Sequence, residues 1–89
     1  MEPLIENLDQ TIDMMQSPNY KERFKAEYYQ LAIRCKKLEA MLEKWDNGTL
    51  EFTPTCNRSI YNFQVRAMKD YMTALESRAV MEGVHLQRV

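Results

Sequence analysis

Between residues 24 and 45 the apolar positions are Phe24, Tyr28, Leu31, Cys35, Leu38, Leu42 and Trp45, alternating steps of four and three that line one seam of a long helix. Tyr61, Val65, Met68, Met72, Leu75 and Ala79 repeat the spacing. Two stripes of matching period predict two long helices that close on each other as an antiparallel hairpin. A shorter segment precedes them. Pro3 suits a first helical turn, and Leu4, Ile5, Leu8, Ile12 and Met15 share one face, predicting a helix over about 3–16 that needs a surface to lie on.

Punctuation between the periodic segments sets their limits. Ser17-Pro18-Asn19 breaks the first helix, and Asn19 with Glu22 three positions later has the form of a capping box, so the second helix opens near Tyr20. It runs to Asp46-Asn47-Gly48, where glycine past the last apolar position is the expected stop, giving helix 20–46. The third occupies 58–82 and ends at Gly83, with Val84 positioned to pack back on the last turn. In the connector, Leu50 and Phe52 alternate with polar neighbours, as do Val84 and Leu86, so a short two-stranded pairing is an open alternative for these pieces.

The seams do not use all the apolar residues. Tyr29, Ile33, Ala40 and Met41 lie off the seam of the second helix, and Ile60, Phe63, Ala67, Tyr71, Ala74 and Met81 form a second apolar face on the third. The N-terminal helix can cover part of that face, and the remainder predicts association. The expected architecture is therefore all-α, one helical domain over 1–89: a short N-terminal helix plus a long antiparallel helical hairpin, packed as a homo-oligomeric bundle.

Composition agrees with this picture. With 45% hydrophobic and 28% charged residues in 89, the chain has the makeup of a folded domain with a modest core. Its two cysteines lack metal-ligand spacing and there is one histidine, so neither zinc nor a disulfide framework is indicated, and free thiols point to a reducing cytosol. No apolar run approaches the roughly 18 residues of a membrane span. The net charge of −1 excludes a strongly basic binder of extended nucleic acid, but the charge is uneven. Glu2, Glu6, Asp9 and Asp13 make the first segment acidic; Lys21, Arg23, Lys25, Arg34, Lys36 and Lys37 make the start of the second helix basic. The two segments either set each other's register or leave the basic half to face an anion.

Catalytic chemistry has no constellation here. His85 is alone in the tail, Cys35 sits in an apolar seam that raises its thiol pKa, and there is no glycine-rich phosphate loop; Glu39 and Glu43 on one helix face read as solvated carboxylates. No cofactor is expected. Two places suit a small anion. At the start of the third helix, Arg58, Ser59 and Tyr61 join the helix N-terminus, though Asn57 or Ser59 serves equally as an ordinary cap. At the start of the second, Tyr20, Lys21 and Arg23 precede Phe24 and Tyr28, interleaving cations with aromatic faces, although Phe24 and Tyr28 belong to the seam and the cations to its solvated flank.

The stretch from Tyr20 to Leu31 (YKERFKAEYYQL), with Leu50 to Cys56 (LEFTPTC) and Glu82-Gly83-Val84, resembles a group of small proteins of phages and mobile elements in gut Firmicutes, over most of the chain. That resemblance implies a phage or mobile-element origin and no activity. More distantly, the short leading helix, basic-aromatic opener and long helix pair are similar to the helical-hairpin sponge proteins with which phages sequester cyclic-nucleotide signals of defence systems such as CBASS and Thoeris. Those proteins often carry an Arg-Glu-Lys opener and a Trp in the last helix. Here Ser59 and Ile60 follow Arg58, and Tyr71 stands near the Trp position, so no ligand residue is carried over.

The function expected is that of a non-enzymatic, phage-encoded defence antagonist in the host bacterial cytosol. It would sequester a small anionic (cyclic) nucleotide between copies through Tyr20, Lys21, Arg23, Arg58, Ser59 and Tyr61. The alternatives are a protein–protein inhibitor or adaptor, such as an anti-CRISPR or an antagonist of a host defence protein, acting through the apolar face, and a phage structural component.

Overall fold

A computed structural model describes residues 5–87 and residue 89. It is all-helical, without strands among the described residues, and is built on a hairpin of two long helices, α2 (Tyr20–Asp46) and α3 (Arg58–Glu82). They are preceded by a 3-10 turn, Leu8–Thr11, and one α-helical turn, α1 (Ile12–Met15). The 27 residues of α2 account for the 42 Å long axis of a 42 × 23 × 23 Å body.

Each long helix starts and stops for local reasons. Asn19 is extended and its side chain accepts from the Lys21 amide, but Glu22 pairs with Lys25 rather than completing the capping box. At the far end Gly48 takes φ +73°, which lets the Thr49 amide reach back to the Lys44 carbonyl at 2.9 Å. Gly83 repeats this at φ +69°, with the Val84 amide on the Ala79 carbonyl at 2.9 Å. Asn57 precedes α3 without a side-chain cap; its carbonyl accepts from Ile60.

The stripes meet as their spacing requires. Phe24, Tyr28, Cys35 and Leu42 of α2 are buried, together with Leu75 and Ala79 of α3, while Val65, Met68 and Met72 are half-buried. The core is nevertheless concentrated at one end. Ile5, Phe24, Tyr28, Tyr29, Ala32, Ile33, Leu75, Ala79 and Val84 form one cluster in the first half of α2 and the last turns of α3, with Ile5 from the N-terminal side and Leu86 and Val89 from the C-terminal side packed onto it. Val84 is buried, Leu86 and Val89 pack beside it, and the Gln87 amide donates to the Tyr29 hydroxyl at 2.9 Å. Val84 and Leu86 thus pack into the core instead of pairing with Leu50 and Phe52, and Phe52 is exposed.

The N-terminal segment departs from expectation in form and in place. The start at Pro3 and the contribution of Leu4 lie outside the described residues. Within them, Asn7 and Gln10 form a reciprocal capping box that starts a 3-10 turn at Leu8. Because side chains three apart eclipse in such a turn, the inward residues are Ile5, Leu8, Thr11 and Met14 rather than the α-spaced set, and Ile12 and Met15 are exposed. Thr11 has 0% exposure; its hydroxyl donates to the Leu8 carbonyl at 2.7 Å and accepts from Gln30 at 2.9 Å. The described residues of the segment lie on α2, against Tyr29 and Ile33, and cover no part of the second face of α3. The acidic segment does lie along the basic helix. Apolar packing and the Gln30 amide hold it there, and the ion pairs among the described residues join other groups.

Candidate functional site

The six candidate residues fall into two clusters at opposite ends of the hairpin, about one helix length apart, roughly 40 Å. At the end carrying the core stand Tyr20, Lys21 and Arg23. Tyr20 presents its ring to solvent at 48% exposure. The Lys21 ammonium donates to the Gly83 carbonyl at 3.3 Å, complementing the negative end of α3, and Arg23 donates to the Ser17 carbonyl at 2.8 Å. Beside them the Arg78 guanidinium lies 4.8 Å from the centre of the Phe24 ring and pairs with Glu82 at 2.9 Å.

At the loop end stand Arg58, Ser59 and Tyr61. Arg58 grips Asp46 through both terminal nitrogens, the longer bond being 3.1 Å, and donates from Nε to Asn62 at 3.0 Å. Its carbon lies 5.3 Å from the Trp45 ring centre, and Trp45 meets Tyr61 edge-to-face at 6.0 Å. The hydrogen bonds from Arg58 hold the Asp46 carboxyl below the ordinary range, and Asp46 raises Arg58 in return. Burial, then the neighbouring Cys56, pushes the Tyr61 phenol up. Ser59 is exposed and caps nothing. The shallow groove here, about 320 Å³, is lined by Glu39, Glu43 and Asp46 besides Arg58, so three carboxylates face one guanidinium and its field favours cations.

Side chains outside the six line a larger recess. Where α2, α3 and the C-terminal residues meet is a groove of about 580 Å³ with Lys36 and Lys69 on its walls. Lys69 is tied to Glu39 at 2.9 Å, and the Tyr28 hydroxyl donates to Glu76. Burial first, then Glu76, raises the Tyr28 phenol, and burial first, then Glu39, raises the Cys35 thiol. Across α2 a second groove, about 330 Å³, is walled by Lys36, Lys37, Ile5, Ile33 and Val89. Lys36 therefore borders both, and it is unpaired among the described residues. The Lys36-Lys37 pair was visible in the sequence; the grooves beside it were not, because Ile5, Leu86 and Val89 reach them only through the tertiary fold.

No helix among the described residues is long and apolar enough to cross a membrane. No curated protein and no solved structure matches the chain. A family model described as Sequestin matches residues 18–81, which takes in α2, the loop and nearly all of α3. All six candidate residues lie inside that stretch, in a family named for sequestration rather than catalysis, and the chain belongs to the Sequestin family.

Proposed function

We propose that the protein is a phage-encoded defence antagonist that sequesters a small anionic nucleotide, a cyclic signal being the best fit, in the host bacterial cytosol without chemical conversion. The observation that carries this reading is the family match across both basic-aromatic helix starts. At one of them Tyr20 keeps an open aromatic face for a base beside Lys21 and Arg23, which can reach a phosphate. At the other, Arg58, Ser59 and Tyr61 surround the N-terminus of α3, where amides without an intrahelical partner attract anions. One chain offers each as an open surface; binding between copies would enclose the ligand.

Calorimetric titration with a panel of cyclic di- and trinucleotides tests the proposal. Saturable binding that Arg23→Ala and Arg58→Ala together abolish is the expected result, with Lys36→Ala as the comparison arm. Loss of binding in Lys36→Ala alone would move the ligand to the grooves along α2, and silence across the panel would refute sequestration of a nucleotide. The second reading, a protein–protein inhibitor, is favoured by the open apolar face of α3, where Phe63 is 73% and Met81 85% exposed. A stoichiometric host protein retained from lysate, together with a silent nucleotide panel, would favour it.

A further inference from the structure

Met81 apart, the open face of α3 has a symmetry of its own. Ile60, Phe63, Ala67, Tyr71 and Ala74 are all exposed and are spaced by three, four, four and three, so the pattern reads the same in both directions about Ala67. A two-fold interface can use this: whatever residue i meets on the partner, the partner's copy of that residue meets i. Laid antiparallel on a second copy about Ala67, the stripe sets Ile60 against the smaller Ala74 and Phe63 against Tyr71. Alanine meets alanine at the crossing, where the backbones come closest.

Charge follows the same symmetry. Arg66 and Asp70 are exposed, lie one turn apart along one edge of the stripe, and are unpaired among the described residues. In an antiparallel pair, Arg66 of each copy lies within about 3 Å, along the helix axis, of the level of the other copy's Asp70, which gives two ion pairs flanking the crossing. The apolar side chains present on the order of 500 Å² per copy, near the upper limit of what a free-standing chain leaves in one patch. With their polar flanks they approach the roughly 800 Å² per partner of a standard interface.

We propose that this face of α3 is a self-complementary dimer interface and that the two-fold pair assembles the ligand site from both copies. The inference rests on the sequestration reading for its ligand. Lys21 is bonded to Gly83, and Gly83 in one copy stands about seven residues' rise, roughly 10 Å along the α3 axis, beyond the level of the other copy's Arg58. The two basic-aromatic clusters, a helix length apart in one chain, therefore come to the same end of the pair, once at each end. The exposed Met81 is carried alongside the other copy's loop, whose Phe52 is also exposed.

Light scattering of the full chain at micromolar concentration should give twice the 10.6 kDa monomer mass, and Phe63→Glu should halve it with the helical circular dichroism unchanged. In a Cys56→Ser background, Ala67→Cys should form a self-linked dimer under mild oxidation. Ala74→Cys should link to Ile60→Cys but not to itself. A monomeric wild type, a mass that Phe63→Glu leaves intact, or self-linking of Ala74→Cys as ready as that of Ala67→Cys would overturn the interface. Nucleotide binding by a monomeric wild type would sink the pair and keep sequestration. A verified pair that binds no nucleotide would sink sequestration and keep the pair.

Discussion

Leu75→Ala tests the claim that the hairpin is held mainly at one end. Leu75 is 1% exposed and belongs to the terminal cluster with Phe24, Tyr28 and Ala79. Truncating an enclosed leucine costs about 2–5 kcal/mol, the upper part where the surroundings cannot collapse, and two packed helices with Val84 buried beside them leave little room to collapse. A loss of about 3 kcal/mol follows. A domain of this length has a total stability near the low end of the usual range, roughly 5 kcal/mol, so the variant should retain well under half of it. In a thermal scan this is a fall of about 12–24 °C. Val65→Ala is the control, since Val65 lies on the same seam toward the loop end but is only half-buried; about 1 kcal/mol is expected. Urea unfolding followed by circular dichroism at one fixed protein concentration measures both and keeps any association term constant. Equal losses at the two positions would refute the polarised core.

Four further outcomes follow from single positions. Gly83→Ala should cost about 1–2 kcal/mol in urea unfolding through its left-handed φ of +69° alone, because the nearest atom to a new methyl, the Lys21 ammonium at 3.7 Å, is in ordinary contact. Gly48→Ala, in open space at φ +73°, should cost about as much. The Tyr28 phenol is raised above 10.0, so the folded chain holds a proton that the unfolded chain releases; stability is intact below that value and declines as pH rises past it. Tyr28→Phe should flatten that alkaline limb in a pH series of unfolding curves. With a thiol reagent, exposed Cys56 should react at once, whereas buried Cys35, its thiol raised by burial, should react only on the timescale of opening.

The hairpin was legible because its signal is long and redundant. Six or seven apolar residues per seam, a polar break at Ser17-Pro18-Asn19 and a glycine after each long helix all agree. The N-terminal segment was misread because its apolar residues fit a period of 3.6 well enough to hide a period of three. Thr11, polar by type, is the residue at the centre of the contact, and its burial depends on a hydrogen bond from Gln30 that no spacing rule reveals. The return of the C-terminal residues was half visible, since Gly83-Val84 announces a cap, but the landing of Leu86 and Val89 on α2 is a tertiary choice.

The candidate site was legible in kind rather than in availability: a basic residue beside an aromatic one can be read from sequence, but whether its charge is already spoken for cannot. Arg58 illustrates the difference. Its Nε and both terminal nitrogens are committed to Asn62 and Asp46, so a phosphate arriving there must exchange one charge-assisted pair for another. The displaced Asp46 carboxylate, 61% exposed, returns to water at little cost, which leaves the exchange nearly balanced. Asp46→Asn shifts that balance in a direction that depends on what Arg58 is for. If Arg58 holds the ligand, removing its competitor should tighten nucleotide binding severalfold in calorimetry, most at low salt. If Arg58 is only a strut between the ends of α2 and α3, affinity should stay the same or fall as the loop end loosens, and that result would strike Arg58 from the site.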